Sequence, residues 1–362
     1  MPKGKIKHLF PGGNTSLGFF SFYSNIINQE EADRLIIIKG GPGVGKSTFM
    51  KKVGEQLLEM GYDAEYLHCS SDNNSLDGVK IPELKVAIID GTSPHVVDPK
   101  SPGVVDEILN FGEFWDDRGI RVHKEEILLI NKELSAIFAS AYKYLKAAYL
   151  VYEDSIVVYN NAFNRGEVNL FTMELIDEIF NNRSIAIEEG VQRSLFVSAI
   201  TPKGLCNYLD ELLTVRNVYE LIGEIGTGEE MIVQKIKLAA IERGYDVEAY
   251  YCALNPSKLE HLIIPALDVA ITTSNEYHNS TVKKCKTIDM QMFYNENLIE
   301  EHSETLMQNK EEFEHLMNIA LQTISKAKAL HDKLESFYIP NINFLEVDKC
   351  FNKTMAKIVG NI

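Results

Sequence analysis

The chain matches itself. Shifted by 183 residues, so that Gly40 meets Gly223, it aligns from Gly40 to His95 without a gap and is identical at 18 of 56 positions. Unrelated segments of ordinary composition agree at about one position in sixteen. The identities include Gly40, Gly43, Gly45, Gly61, Cys69, Pro82 and His95. The likeness extends outward with small gaps. "LFPGGNTSLG" from Leu9 faces "LFVSAITPKG" from Leu195, and "VVY" ending at Tyr159 faces "SFY" ending at Tyr338. A repeat of this length predicts two copies of one domain, residues 1–187 and 188–362. No stretch rich in Pro, Gly and Ser separates them, so the halves are expected to pack closely.

Each copy reads as α/β. "RLIIIKG" is a short β-branched run ending in glycine, the mark of a buried parallel strand. A helix is expected from Lys46 to Met60, closed by Gly61. "DAEYLHC" and "LKVAIID" read as second and third strands. Strands alternating with helices predict a parallel sheet with helices on both faces. From His123 to Tyr159 apolar residues recur at helical spacing without proline or glycine, as they do over 302–337. Each reads as one long helix or a helix pair, for packing or dimerisation.

The stretch "GGPGVGKST" from Gly40 to Thr48 fits the phosphate-loop spacing and sits where that motif needs to be, after a strand and before a helix. Its glycines, Gly40, Gly41, Gly43 and Gly45, let the backbone wrap a phosphate with N–H groups pointing inward. Pro42 and Val44 complete the loop, and the helix end adds partial positive charge. Lys46 is expected at the β- and γ-phosphates as a catalytic residue, with Ser47 on Mg²⁺ and Thr48 beside it. Asp90, closing the apolar run "VAIID", is the expected second holder of the metal. No glutamate follows it to orient water; Gly91, Thr92 and Ser93 do. That predicts slow hydrolysis, a base from elsewhere, or transfer to an acceptor.

In the second copy Lys46 becomes Glu229, Ser47 becomes Glu230 and Asp90 becomes Thr273. Two carboxylates aimed at a triphosphate repel it by several kcal/mol where solvation is poor. The second loop, Gly223–Met231, is therefore expected to keep its shape without holding nucleotide, and to support, regulate or bind something else.

The loop after Asp90 carries Thr92, His95, Asp98, Asp106 and Glu107, which are expected near the γ-phosphate edge, where a small molecule or protein partner would bind. His68, Cys69 and Asp72 follow a strand end. Because Cys69 recurs as Cys252, it reads as a buried structural thiol, and no metal cluster of His68, Cys69 and His95 is expected.

The net charge of −16 disfavours nucleic acid and anionic lipid as partners. Five cysteines, an odd number without a C-x-x-C pair, argue against a disulfide framework, and no apolar run approaches the length of a membrane span. A cytoplasmic protein is expected. Its oligomeric state is left open.

The quoted loop, together with "HCSSDNNSLDGVKIPEL", "VAIIDGTSPHVVDPKSPGVVDEILNFGEFWD", "HLIIPALDVAITTS" and "LHDKLESFYIP", resembles a family of bacterial P-loop ATPases with tandem nucleotide-binding domains. The resemblance covers almost the whole chain. It implies two P-loop NTPase domains and ATP binding with Lys46, Ser47 and Thr48 at the phosphates. Some second copies in related proteins keep a better phosphate loop, from which Glu229 and Glu230 depart. The expected activity is Mg²⁺-dependent ATP hydrolysis in the first half. The rivals are a kinase acting on a small molecule and a nucleotide-gated switch.

Overall fold

The computed structural model describes residues 2–224 and 226–360. Its first half runs β1 (Ile6–Leu9), β2 (Gly12–Thr15), β3 (Gly18–Ser21), β4 (Arg34–Lys39), α1 (Lys46–Glu59), β5 (Ala64–Cys69), β6 (Asp72–Ile81), β7 (Val86–Asp90), β8 (Asp106–Asn110), α2 (Asp117–Arg121), α3 (Lys124–Ala162) and α4 (Arg165–Phe180). The second runs β9 (Gln192–Leu195), β10 (Ser198–Thr201), β11 (Gly204–Asn207), α5 (Leu209–Leu212), β12 (Asn217–Ile222), α6 (Glu229–Glu242), β13 (Val247–Tyr251), β14 (Leu259–Ile264), β15 (Val269–Ser274), β16 (Lys286–Asp289), α7 (Glu296–Glu301), α8 (Ser303–Tyr338) and α9 (Phe344–Val359).

The strands form two six-stranded sheets, ordered β1-β5-β6-β7-β4-β8 and β9-β13-β14-β15-β12-β16, the same sequence of elements twice. Neither sheet is wholly parallel, contrary to the expectation. β6 pairs antiparallel with both β5 and β7, and β14 does the same between β13 and β15. These strands escape a reading by apolar pattern because β6 opens on "DNNS" and carries Asp77, Gly78 and Lys80.

Helices do not cover both sheet faces either. Along β4, Ile36 and Ile38 pack with α1, while Leu35 and Ile37 face residues of the other sheet such as Val218, Tyr250 and Ala270. The two sheets thus share one core, which the short helix α5 also enters through Leu209 and Leu212, while α1 and α6 pack on their outer faces. This arrangement explains a run apolar at every position: alternate side chains enter two different cores. Phe10 and Phe196 join the halves by a reciprocal pair of backbone hydrogen bonds, 2.9 and 3.1 Å.

α3 is a single helix of 39 residues, roughly 58 Å long, and α8 has 36. They lie antiparallel, Tyr152 against Phe313 at one end and His123 against Phe337 at the other. Each therefore carries its following helix across to the other half. α4 packs its Val168, Leu175 and Phe180 with Ile232 and Ile236 of α6, in the second core. α9 packs Val347, Met355 and Ile358 with Phe49, Met50 and Val53 of α1, in the first. Asn164 and Asn343 cap these exchanged helices by accepting the N–H of Glu167 and Glu346. Among the described residues, no helix is long and apolar enough to cross a membrane.

Candidate functional sites at the two glycine loops

β4 delivers the chain to Gly40, and α1 begins at Lys46. Between them Gly43 and Gly45 take φ of 67° and 90°, left-handed values that side chains disfavour. No side chain caps α1, so its first-turn N–H groups face the loop mouth, as an anion requires. Lys46 Nζ donates to the carbonyls of Gly40 (3.1 Å) and Gly41 (2.7 Å) and lies 3.4 Å from Asp90 Oδ2. Asp90 reaches this place because β7 pairs directly with β4, Ile38 opposite Asp90. Its Oδ1 accepts the Thr92 N–H (2.9 Å) and hydroxyl (2.5 Å). Ser47 Oγ accepts the Leu76 N–H at 2.9 Å. Val44 is buried in the first core, Pro42 is half-buried and Thr48 is exposed.

Of the loop after Asp90, Asp106 and Glu107 do not lie at this mouth. β8 runs parallel to β4 with Asp106 opposite Leu35 and Asn110 opposite Lys39, so both acids sit at the far end of the sheet. Asp106 is buried there, accepting the N–H groups of Lys100 and Ser101, and Glu107 pairs with Arg34 and Lys357. Their work is structural. Asp98 bonds Lys39 at 2.9 Å. His95 stacks on Tyr23, centroids 4.7 Å apart, with Nε2 3.8 Å from Asp77. Burial pushes the Asp77 carboxyl up, against the opposing pull of His95. Cys69 is only partly buried, short of the buried thiol expected, and desolvation at the sulfur drives its thiol well above the ordinary range. His68 lies apart, its Nε2 2.7 Å from His8 Nδ1 and its ring against Tyr208; burial lowers it to about 4.

The end of α8 closes over the first loop. A β-carbon on Gly41 would stand 2.8 Å from Tyr338 Cε1 and 3.3 Å from Trp115, and one on Gly43 3.0 Å from Ile339 and 3.1 Å from Glu335. The second loop is covered in the same manner by α3, with Ile156 against Gly226 and Phe163 against Gly228.

At that second loop, Ile225 lies outside the described residues. Gly226 and Gly228 keep left-handed φ of 89° and 84°, and α6 starts at Glu229 as α1 does at Lys46. The expected pair of repelling carboxylates is not what forms. Lys258 enters from the turn before β14 and donates to Glu229 Oε1 at 2.6 Å, with both side chains buried. Burial pushes the Glu229 carboxyl up, but the ammonium outweighs it and holds the group below the usual range. Glu230, half-buried, is raised by burial.

A cavity of about 310 Å³ opens beyond this edge, lined by Lys258, Glu260, Cys252, His278 and tyrosines of α3, including Tyr149 and Tyr152. A second, of about 240 Å³, lies beside Glu224 and Tyr159. Sequence reasoning passed over Lys258, Glu260 and His261. The signal was present in the shifted alignment, where they replace Ser75, Asp77 and Gly78.

No family model matches the chain, and no curated protein or solved structure matches it.

Proposed function

We propose that the first half binds ATP with Mg²⁺ and hydrolyses it slowly, and that the second half holds no nucleotide of its own. The observation that carries this reading is Lys46 Nζ standing 3.4 Å from Asp90 Oδ2 at the mouth of a left-handed glycine loop heading a helix. Phosphate brings its own oxygens to this mouth. Lys46 then exchanges the Gly40 and Gly41 carbonyls for them, an ion–ion contact in place of two ammonium–carbonyl bonds. The Ser47 hydroxyl and the Asp90 carboxylate are hard oxygen donors of the kind Mg²⁺ takes, and Asp90 Oδ2 faces the mouth beside Lys46. The ion, when bound, supplies charge for the phosphate oxygens. The Asp90–Thr92 bonds fix the carboxylate's orientation. No acid follows Asp90, so water is not activated by a neighbouring base and slow turnover is expected. Calorimetry with ATP and MgCl₂ tests the reading: one equivalent per chain supports it, and none, or two equal sites, overturns it.

A nucleotide-gated switch is the second reading. The contacts of Tyr338, Glu335 and Ile339 on Gly41 and Gly43 favour it, because a loop that tightens on phosphate would press on the end of α8.

A further inference from the structure

Where the first half has Asp77 and Gly78 on β6, the second has Glu260 and His261 on β14, and His95 recurs as His278. The second half has therefore gained a histidine where the first has no side chain. Glu260, His261 and His278 each offer a donor atom, and the three atoms lie within 4.8 Å of one another. All are buried, at 2%, 0% and 8% exposure. His261 Nδ1 lies 2.8 Å from Thr272 Oγ1, and that hydroxyl lies 3.3 Å from the Thr273 carbonyl. With the hydroxyl proton given to the carbonyl, Thr272 accepts the Nδ1 proton. The cation-binding form of the imidazole is this Nδ1–H tautomer, with the lone pair on Nε2. That Nε2 is fully buried, has no hydrogen-bond partner and lies 4.0 Å from Glu260 Oε2. An unpartnered buried lone pair beside a buried carboxylate is a site for a cation.

The local charge agrees. Lys258 gives its hydrogen bond to Glu229, and although its charge also acts on Glu260, no lysine or arginine among the described residues pairs with Glu260 directly. The His278 Nε2–Thr273 contact at 2.9 Å and the His261–Thr272 contact are hydroxyl bonds of the kind that orient ligating imidazoles. Glu260 and His278 both line the 310 Å³ cavity, which supplies a path in and room for a fourth, exchangeable ligand.

We propose that Glu260, His261 and His278 hold one divalent transition-metal ion of the zinc class, with its open coordination position facing the cavity. Two imidazoles and a carboxylate are the donor set of open zinc sites, and nitrogen donors disfavour Mg²⁺. Zinc–ligand distances of about 2.0–2.2 Å require the three side chains to draw together slightly around the ion. The site does not depend on nucleotide binding in the first half.

The test uses the full-length protein, stripped with EDTA, dialysed and loaded with ZnCl₂. Metal content is read by mass spectrometry, affinity by competition with a chromogenic chelator, and ligand type by the absorption of a Co²⁺-loaded sample. One equivalent per chain is expected, with a Co²⁺ spectrum typical of four-coordinate nitrogen and oxygen ligation. His261→Gln should lose that equivalent, and Thr272→Val should weaken it about 10- to 100-fold. His95→Gln should keep it. So should His331→Gln, which removes the histidine of an exposed grouping with Asp332 and Glu335. Should His261→Gln fail to fold, wild-type melting decides: a midpoint raised by ZnCl₂ and not by MgCl₂ supports the site, and an unchanged midpoint overturns it. No zinc equivalent in the stripped wild type, or full retention by folded His261→Gln, also overturns it, as does loss in His331→Gln alone.

Discussion

Lys258 Nζ lies 2.6 Å from Glu229 Oε1, in a pair that solvent scarcely reaches. The first half places Lys46 where Glu229 stands and sets it 3.4 Å from Asp90. Both halves thus keep an ion pair at the start of the loop helix, with its polarity reversed. The reversal explains how a carboxylate is tolerated at a position shaped for a lysine.

Removing one member of this pair strands the other in a buried site. Glu229→Ala and Lys258→Ala are each expected to destabilise the fold by about 3–5 kcal/mol, whereas Glu229→Met with Lys258→Met should cost much less. Urea unfolding of the two single variants and the double variant measures this. Equal losses for the single and double variants would show that the pair itself stabilises.

A second ion pair joins the halves. Arg193 of β9 grips Glu65 of β5 with both nitrogens, at 2.6 and 2.7 Å, and also donates to the carbonyls of Asn25 and Ile26. Burial pushes the Glu65 carboxyl up, but the guanidinium prevails and holds it at about 2, against 4.5 for a free glutamate. A depressed carboxylate stabilises the fold fully above its unfolded pKa and loses that contribution as pH falls. The window here runs from about pH 4.5 down to 2, and the contribution is about 3 kcal/mol. Glu65→Gln should therefore be less stable than wild type at pH 7, with the difference shrinking through this window. Denaturant midpoints at stepped pH check it; a pH-independent difference rejects the assignment.

The crossing of α3 and α8 yields a third expectation. Leu175 belongs to the first half by sequence but is 1% exposed in the second core. Leu175→Ala should cost about 2–5 kcal/mol. Hydrogen exchange should quicken in α6 and β12 before it does in α1 and β4. Faster exchange centred on α1 would mean that α4 does not cross over in solution.

Much of this was readable in the residues. Glycines at fixed spacing, a β-branched run ahead of them and an aspartate closing "VAIID" placed β4, α1 and β7, because each signal is local. The long helices were legible from apolar periodicity for the same reason. β6 was not, since Asp77 and Lys80 are tolerated inside it by non-local partners. The stacking of the two sheets was hidden as well, because an all-apolar strand looks the same beneath a helix or beneath another sheet. Asp106 and Glu107 misled because nearness in sequence to Asp90 says nothing of which end of the sheet β8 starts from. Lys258 was missed because its partner Glu229 lies 29 residues away in the chain, although the alignment put Lys258 opposite Ser75.

The nucleotide reading stands or falls on Lys46. Lys46→Ala should lower ATP turnover by roughly a thousandfold, since the ammonium, 3.4 Å from Asp90 at the loop mouth, is placed to follow charge onto a transferring phosphoryl group. Asp90→Asn should weaken the Mg²⁺ dependence of nucleotide binding while leaving the fold intact. Glu229→Ala should leave turnover per folded molecule near wild type, its loss being felt in stability. Glu229→Lys with Glu230→Ser should not create a second nucleotide site. Thr273 still stands where Asp90 would be needed, and the new lysine would meet Lys258, so that two buried ammonium groups share the space that one carboxylate now neutralises. Turnover and ATP stoichiometry of each purified variant, with melting curves to confirm folding, separate these outcomes. Turnover that survives Lys46→Ala in a folded protein, or falls as far in Glu229→Ala at equal stability, would move the chemistry out of the first loop and overturn the reading.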